Sequence, residues 1–464
     1  MKNIIIVYGV NDTPLIKRAI EFLNRTLLDY TFQYPMCVKF DDKFDYSKYR
    51  CIYIGTKENN AYISRNTQAS LTEAESYCIS VKDDTVIIEG YDDAGVLYGC
   101  IDFYNKYIVK HEYNTPQYHK NIFLETLPDF SLTSAPSVKF RGLWTWGHVI
   151  YDYKKYIDNM MLLKMNTVII WNDFVPVNAK EMIDYAHNCG IKVIWGYAWG
   201  WDTDCSIQLR NHLLSQSHDI LNKFKEEYAK LNVDGIYFQS ATEMQVDEVD
   251  GVCVADVVTE FVNVTAELFF NEFPKLELQF GLHATSVKNR LEFIKRVDSR
   301  IYIIWEDCGA FPFSYYPSQI KTFEETKEFT KRISTLRGNN DKFGVVTKGF
   351  TKLDWSEFLH MEGPIFIGKG SDSWKENRIV RKSKIWKYLQ AYWLVNSDKA
   401  LEMVKTMADI KQGNLYVTAL VEDGMFEENI MYPVALFSEM LWDCNTDIKE
   451  LMSKVALREY ITFA

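Results

Sequence analysis

From Val138 onward the chain alternates short apolar runs with longer amphipathic stretches, the pattern of successive βα units. Val138–Trp144 predicts a first strand, followed by a helix over 153–163. Thr167–Trp171 predicts a second strand, and its helix over 179–188 stops before Gly190. Lys192–Ala198 and Gly235–Ser240 read as strands three and four, with helical periodicity over 207–231 between them and over 255–270 afterwards. Leu276–Leu282, Ile301–Trp305 and Phe343–Thr347 supply strands five to seven. Pro364–Gly368 and Leu415–Val421 compete for the eighth. The second is preferred because the glycine-free segment from Pro433 to Asp443 follows it as a closing helix. Helices over 383–395 and 398–410 then form an insertion near 376–412. Eight such units predict a (β/α)8 barrel over residues 138–464, ending in C-terminal helices.

Ahead of the barrel, residues 1–110 read as a small α+β domain. Its strands are Asn3–Tyr8, Cys51–Gly55 and a hairpin pair, Glu75–Val81 and Thr85–Gly90; helices cover 14–28 and the segment capped by Asp92 or Asp93. Residues 111–137 carry Pro116, Pro128 and Pro136 without clear periodicity and read as a connecting segment.

If the barrel holds, the residues that close each strand share one pocket at its C-terminal rim. Strand one contributes Arg141, Trp144 and Trp146; strand two, Trp171, Asn172 and Asp173; strand three, Trp199, Trp201 and Asp202. Strand four runs into DGIYFQSATEMQVDE, placing Gln239, Thr242 and Glu243 at the rim. Strand five gives His283, strand six Trp305, Glu306 and Asp307, strand seven Lys348, and strand eight Glu422 and Asp423. Carboxylates for acid and base, together with indoles for sugar faces, are the equipment of glycosidic bond cleavage. Glu243 is the expected acid, and Glu306 or Asp307 its partner.

Composition narrows the partner. The 464 residues carry 52 Lys and Arg against 63 Asp and Glu, a net charge of −11 with no dense basic run, which argues against nucleic acid. No apolar stretch approaches the roughly 20 residues of a membrane span. The eight histidines form no metal-ligand spacing, so neither a metal nor another cofactor is expected. Nine singly scattered cysteines and the absence of a signal-type leader predict a cytoplasmic protein.

Two family resemblances bear on these residues. Gly95-Val96-Leu97-Tyr98-Gly99, opening a helix after a hairpin, resembles the N-terminal domain that precedes the barrel in β-hexosaminidases and α-glucuronidases. The strand-four segment resembles the family 67 α-glucuronidase motif G-[FI]-x-x-K-x-x-S-E-G-Q, with Gly235, Glu243 and Gln245 in register; this implies that Glu243 is the general acid. The run from Pro433 to Tyr460 is similar to the same family's C-terminal segment. That family also has a carboxylate after strand seven, where this chain has Gly349, leaving Glu306 and Asp307 after strand six. Hexosaminidases carry an Asp-Glu pair after strand four, and here it reads Thr242-Glu243. A neutral hydroxyl cannot stabilise the positive charge of acetamido-assisted cleavage, so a hexosaminidase-like hydrolase is the lesser alternative. Arg141 matches the strand-one arginine that binds sugar hydroxyls in hexosaminidases, implying a substrate contact. A barrel that binds carbohydrate without cleaving it is the alternative outside the enzymes.

Overall fold

The computed structural model describes the chain except residues 1, 11–12, 32, 84, 109–126, 201–208, 242–243, 245, 284–286, 308–319, 351–362, 411–412 and 422–425. The chain forms two compact units. The first comprises Met1–Pro136 with the short pieces 188–190 and 457–459, and the second comprises the remainder.

In the first unit, strands β1 (Asn3–Tyr8), β2 (Met36–Lys39), β3 (Tyr49–Gly55), β4 (Tyr77–Lys82), β5 (Thr85–Gly90) and β6 (Phe130–Ser134) make one sheet in the order β2-β1-β3-β5-β4-β6. The β4–β5 hairpin is present, and Asp92 caps the helix Asp93–Phe103 by accepting from the Gly95 N–H at 2.8 Å. The glycines of the G-x-x-Y-G segment allow that helix to lie close to the sheet: a Cβ on Gly99 would stand 2.6 Å from Ile88 Cγ2, and one on Gly95 would stand 2.2 Å from the Ser76 carbonyl oxygen. One expectation is corrected here. The segment read as a connection contains β6, which pairs antiparallel with β4, Thr133 opposite Cys78. Five residues flanked by prolines are too short to show a period, and an edge strand gains its order from its neighbour.

The second unit is a closed all-parallel barrel of β7 (Phe140–Trp146), β8 (Thr167–Trp171), β9 (Lys192–Ala198), β10 (Gly235–Gln239), β13 (Glu277–His283), β14 (Tyr302–Glu306), β15 (Phe343–Thr347) and β16 (Leu415–Leu420). Between β10 and β13 lies a two-stranded ribbon, β11 (Glu248–Val249) and β12 (Val252–Cys253). A second small pair, β17 (Ile430–Met431) and β18 (Ile461–Thr462), flanks the closing helix Tyr432–Trp442, which starts with a proline in its first turn. Near-continuous apolar runs are what a sheet covered on both faces requires, which is why the strands were readable. Leu415–Leu420 closes the barrel by pairing with β7 and β15. The rival segment packs over the first two βα units instead: the Ile367 N–H donates to Asn178 Oδ1 at 2.9 Å and the Gly368 N–H to the Ile150 carbonyl at 2.9 Å. The insertion is the helical run Asp372–Ile410, broken at Asn396 (φ −115°, ψ 19°) into two helices.

Candidate active site

Side chains alternate along each barrel strand between the interior and the surrounding helices. On β10, Tyr237 and Gln239 face in, whereas Phe238 faces out and stacks on Trp199 at 3.7 Å. On β14, Tyr302, Ile304 and Glu306 face in, and Trp305 faces out against Phe329 of the helix Phe323–Ser334. This parity sorts the indoles that the sequence placed together. Trp144 and Trp146 line the interior with Trp171: Trp144 meets Trp146 edge-on at 4.8 Å and lies 6.3 Å from Trp171, and Tyr237 completes the wall 5.9 Å from Trp144. Trp199 and Trp305 are instead buried between barrel and helices, Trp199 also stacking on Phe269, so their expected place as sugar platforms is corrected. Closeness to a strand end did not reveal which face each occupied.

Arg141 is corrected as well. It lies near the N-terminal end of β7, only 1 % exposed, and its guanidinium donates to the backbone carbonyls of Val138, Lys139 and Lys164 at 2.7 to 3.2 Å while covering Trp442. These bonds tie down the end of the barrel opposite the strand ends, and do not serve a substrate contact.

Glu306 is the centre of the C-terminal end. It is the last residue of β14, 2 % exposed, and donors from three other strands converge on it. Oε1 accepts from the Tyr237 hydroxyl and the Gln239 amide of β10. Oε2 lies 3.0 Å from His283 Nε2, at the end of β13, and 2.5 Å from Lys348 Nζ, just past β15. A carboxylate only accepts, so the His283 Nε2 carries a proton. Burial alone would raise the Glu306 carboxyl, but the charges of His283 and Lys348 and their hydrogen bonds outweigh it and hold the group well below the usual carboxylate range. A group so held is an anion at every ordinary pH and can act as base, nucleophile or stabiliser of positive charge, but not as acid.

The reach of Tyr237 depends on Gly281 of β13. Its strand lies between β10 and β14, and a Cβ at position 281 would stand 2.0 Å from the Tyr237 hydroxyl. Only glycine leaves the slot through which Tyr237 crosses to Glu306. The sequence alone singled out neither Tyr237 nor Gly281, and it placed Gln239 at the rim without a role. Their signal was the i, i+2 spacing of two polar-tipped side chains in an apolar strand, together with a glycine in the next strand; a tyrosine in such a run otherwise reads as core.

The Oδ1 of Asp307, the neighbour of Glu306, accepts from the Lys348 backbone N–H at 2.8 Å, which positions Lys348. Asn172 shapes the turn after β8: its N–H donates to the Gly196 carbonyl at 3.0 Å and its side-chain amide to the Phe174 carbonyl. Thus Glu306, His283, Lys348, Trp144 and Trp146 gather at one end of the barrel. Glu243, Thr242, Trp201 and Glu422 lie outside the described residues. Among the described residues, no group of three or more His, Cys, Asp or Glu side chains is arranged to hold a metal ion, and no helix is long and apolar enough to cross a membrane.

A second buried carboxyl, Glu427, follows β16. Burial pushes it up to about 8, offset in part by the bonds it accepts from its own backbone, from the Tyr151 N–H at 3.0 Å and from Asp152. A carboxyl raised on folding contributes stability that is complete below its unfolded value, near 4.3, and is lost as pH rises towards 8. Glu427→Gln keeps an acceptor for Tyr151 and has no charge to bury. In urea titrations it should therefore overtake the wild type by at least about 1 kcal/mol as pH is raised from 5 to 9. A constant difference across that range would show that Glu427 does not titrate there.

Solved structures share this architecture. A GH138 enzyme described as targeting pectin rhamnogalacturonan II aligns over 97% of this chain and 65% of its own, with a TM-score of 0.55 and 13% identity. CpGH84B aligns over 98% and 70%, with a TM-score of 0.57 and 13% identity. BtGH115A, a GH115 4-O-methyl-α-glucuronidase with specificity for decorated arabinogalactans, aligns over 95% and 57%, with a TM-score of 0.51 and 11% identity. The chain thus shares the TIM-barrel fold of these proteins and spans just under two thirds of the length of the first of them. No protein-family model matches the sequence, and no curated protein matches it.

Proposed function

We propose that this chain is a glycoside hydrolase acting on O-glycosidic bonds of a carbohydrate substrate. The observation that carries the reading is the Glu306 carboxylate, held ionised by Tyr237, Gln239, His283 and Lys348 at the C-terminal end of a barrel whose inner wall carries Trp144, Trp146 and Trp171. The likeness of fold to GH138, GH84 and GH115 proteins supports the same class. In this reading Glu306 is the base or nucleophile, with Asp307 positioning Lys348, and the indoles receive the apolar faces of sugar rings. Because Glu306 cannot supply a proton, the acid is a different carboxyl. Glu243, a few residues past β10 and in register with the family 67 motif, takes that role. His283, Lys348 and Asn172 are the expected contacts to sugar hydroxyls.

A panel of aryl glycosides tests the assignment. Glu243→Gln should lose roughly a hundredfold or more in kcat on substrates with poor leaving groups, yet far less on those whose phenolate departs without protonation. Equal losses on both kinds of substrate would remove Glu243 as the acid. A second reading, a barrel that binds saccharide without cleaving it, is favoured by one feature: each oxygen of Glu306 already accepts from two protein donors. It predicts calorimetric binding of oligosaccharides with no product on long incubation.

A further inference from the structure

We infer that the N-terminal unit carries a binding site of its own for a neutral oligosaccharide, which goes beyond the barrel's proposed chemistry and does not depend on it. One face of its sheet, over β4, β5 and β6, floors a cavity of about 900 Å³, within the range of small-molecule sites. Strand register places Ser80 opposite Ser131 and Cys78 opposite both Thr133 and Glu89, so the floor is a row of short hydroxyls ending at one acid. Asn66 and Gln68, from the segment after the helix Ala61–Asn66 and its last turn, supply amides to the wall.

The acid is the telling element. Glu89 is 2 % exposed, its Oε1 lies 3.5 Å from Lys57 Nζ, and its Oε2 accepts no hydrogen bond among the described residues. An ordinary solvated sheet face does not bury a carboxylate oxygen without a donor, because desolvating it uncompensated is expensive. Oε2 is closed to solvent where the side chain stands, so a ligand hydroxyl supplies that donor once the side chain turns toward the cavity, and the serine and threonine hydroxyls, which both donate and accept, suit further hydroxyls of the same ligand. Charge selects among hydroxyl-rich ligands. Lys82 is outnumbered by Asp83 and Asp129 around the cavity, and Lys57 is matched by Glu89, so a polyanion is repelled and a neutral saccharide is not.

Hydrogen–deuterium exchange on the intact chain with xylohexaose and with mannohexaose at millimolar concentration tests this. At least one should slow exchange over Tyr77–Lys82 and Phe130–Ser134. Glu89→Gln, which exchanges one acceptor for a donor, and Ser131→Trp, which fills the floor, should each weaken that protection at least tenfold while leaving exchange in barrel peptides unchanged. Protection confined to barrel peptides, protection by neither sugar, or undiminished protection in a folded Ser131→Trp protein would each overturn the proposal. None of these outcomes alters aryl glycoside turnover, so the two readings fail separately.

Discussion

Replacing Glu306 by alanine is expected to lower turnover of any glycoside substrate roughly a thousandfold and to reduce the unfolding free energy by about 3–5 kcal/mol. Both effects arise from one arrangement. His283 and Lys348 are held against a buried anion, and without it the Lys348 ammonium remains unpaired beside His283 at a site shielded from water. Removing one partner of a buried pair is far more damaging than replacing the whole pair, since the remaining charge keeps its desolvation penalty. A Glu306→Gln, Lys348→Met double variant should therefore regain much of the stability while staying inactive. If the double variant were no more stable than Glu306→Gln alone, the ion pair would not be the source of the loss. The pH dependence has a definite sign. The folded-state value of Glu306 is depressed, so its contribution is complete above the unfolded value near 4.3 and disappears as pH falls below that towards the lower folded value. The stability gap between wild type and Glu306→Gln should narrow on acidification below about pH 4.

Gly281→Ala is the second large effect. The added methyl would stand 2.0 Å from the Tyr237 hydroxyl and 2.3 Å from its Cζ, so the ring has to leave its path to Glu306. We expect a loss of about 1–3 kcal/mol from overpacking, and a fall in kcat that exceeds that of Tyr237→Phe, which removes the hydroxyl but not the ring. Combining Gly281→Ala with Tyr237→Leu should cost less than the sum of the two single changes, since the clash needs both partners. Strict additivity in urea denaturation would mean that the slot is not what glycine provides.

Much of this molecule was legible in its sequence. Parallel barrel strands are buried on both faces and so appear as unbroken apolar runs, which is why β8, β9 and β15 were bounded correctly and β16 was chosen over the segment Pro364–Gly368. The same uniformity hid which face each residue occupies. In Tyr302-Ile303-Ile304-Trp305-Glu306 nothing distinguishes the tryptophan that faces helices from the glutamate that faces the axis, and Trp199 just past β9 and Tyr237 in β10 are equally undistinguished. Arg141 was misplaced for a related reason: a position within a strand does not say which end of the barrel a long side chain serves.

By itself, then, the sequence determined the local periods, the order of βα units and the supply of carboxylates and indoles, because these follow from composition and spacing along one chain. Only the tertiary structure decided that Tyr237 and Gln239 reach Glu306, that Gly281 opens the path for Tyr237, and that Glu89 is buried with an oxygen unbonded. Those outcomes depend on strand register and barrel closure, which bring together residues as far apart as Tyr237 and Lys348 and set their mutual charges within a few ångströms, information that no single stretch of chain contains.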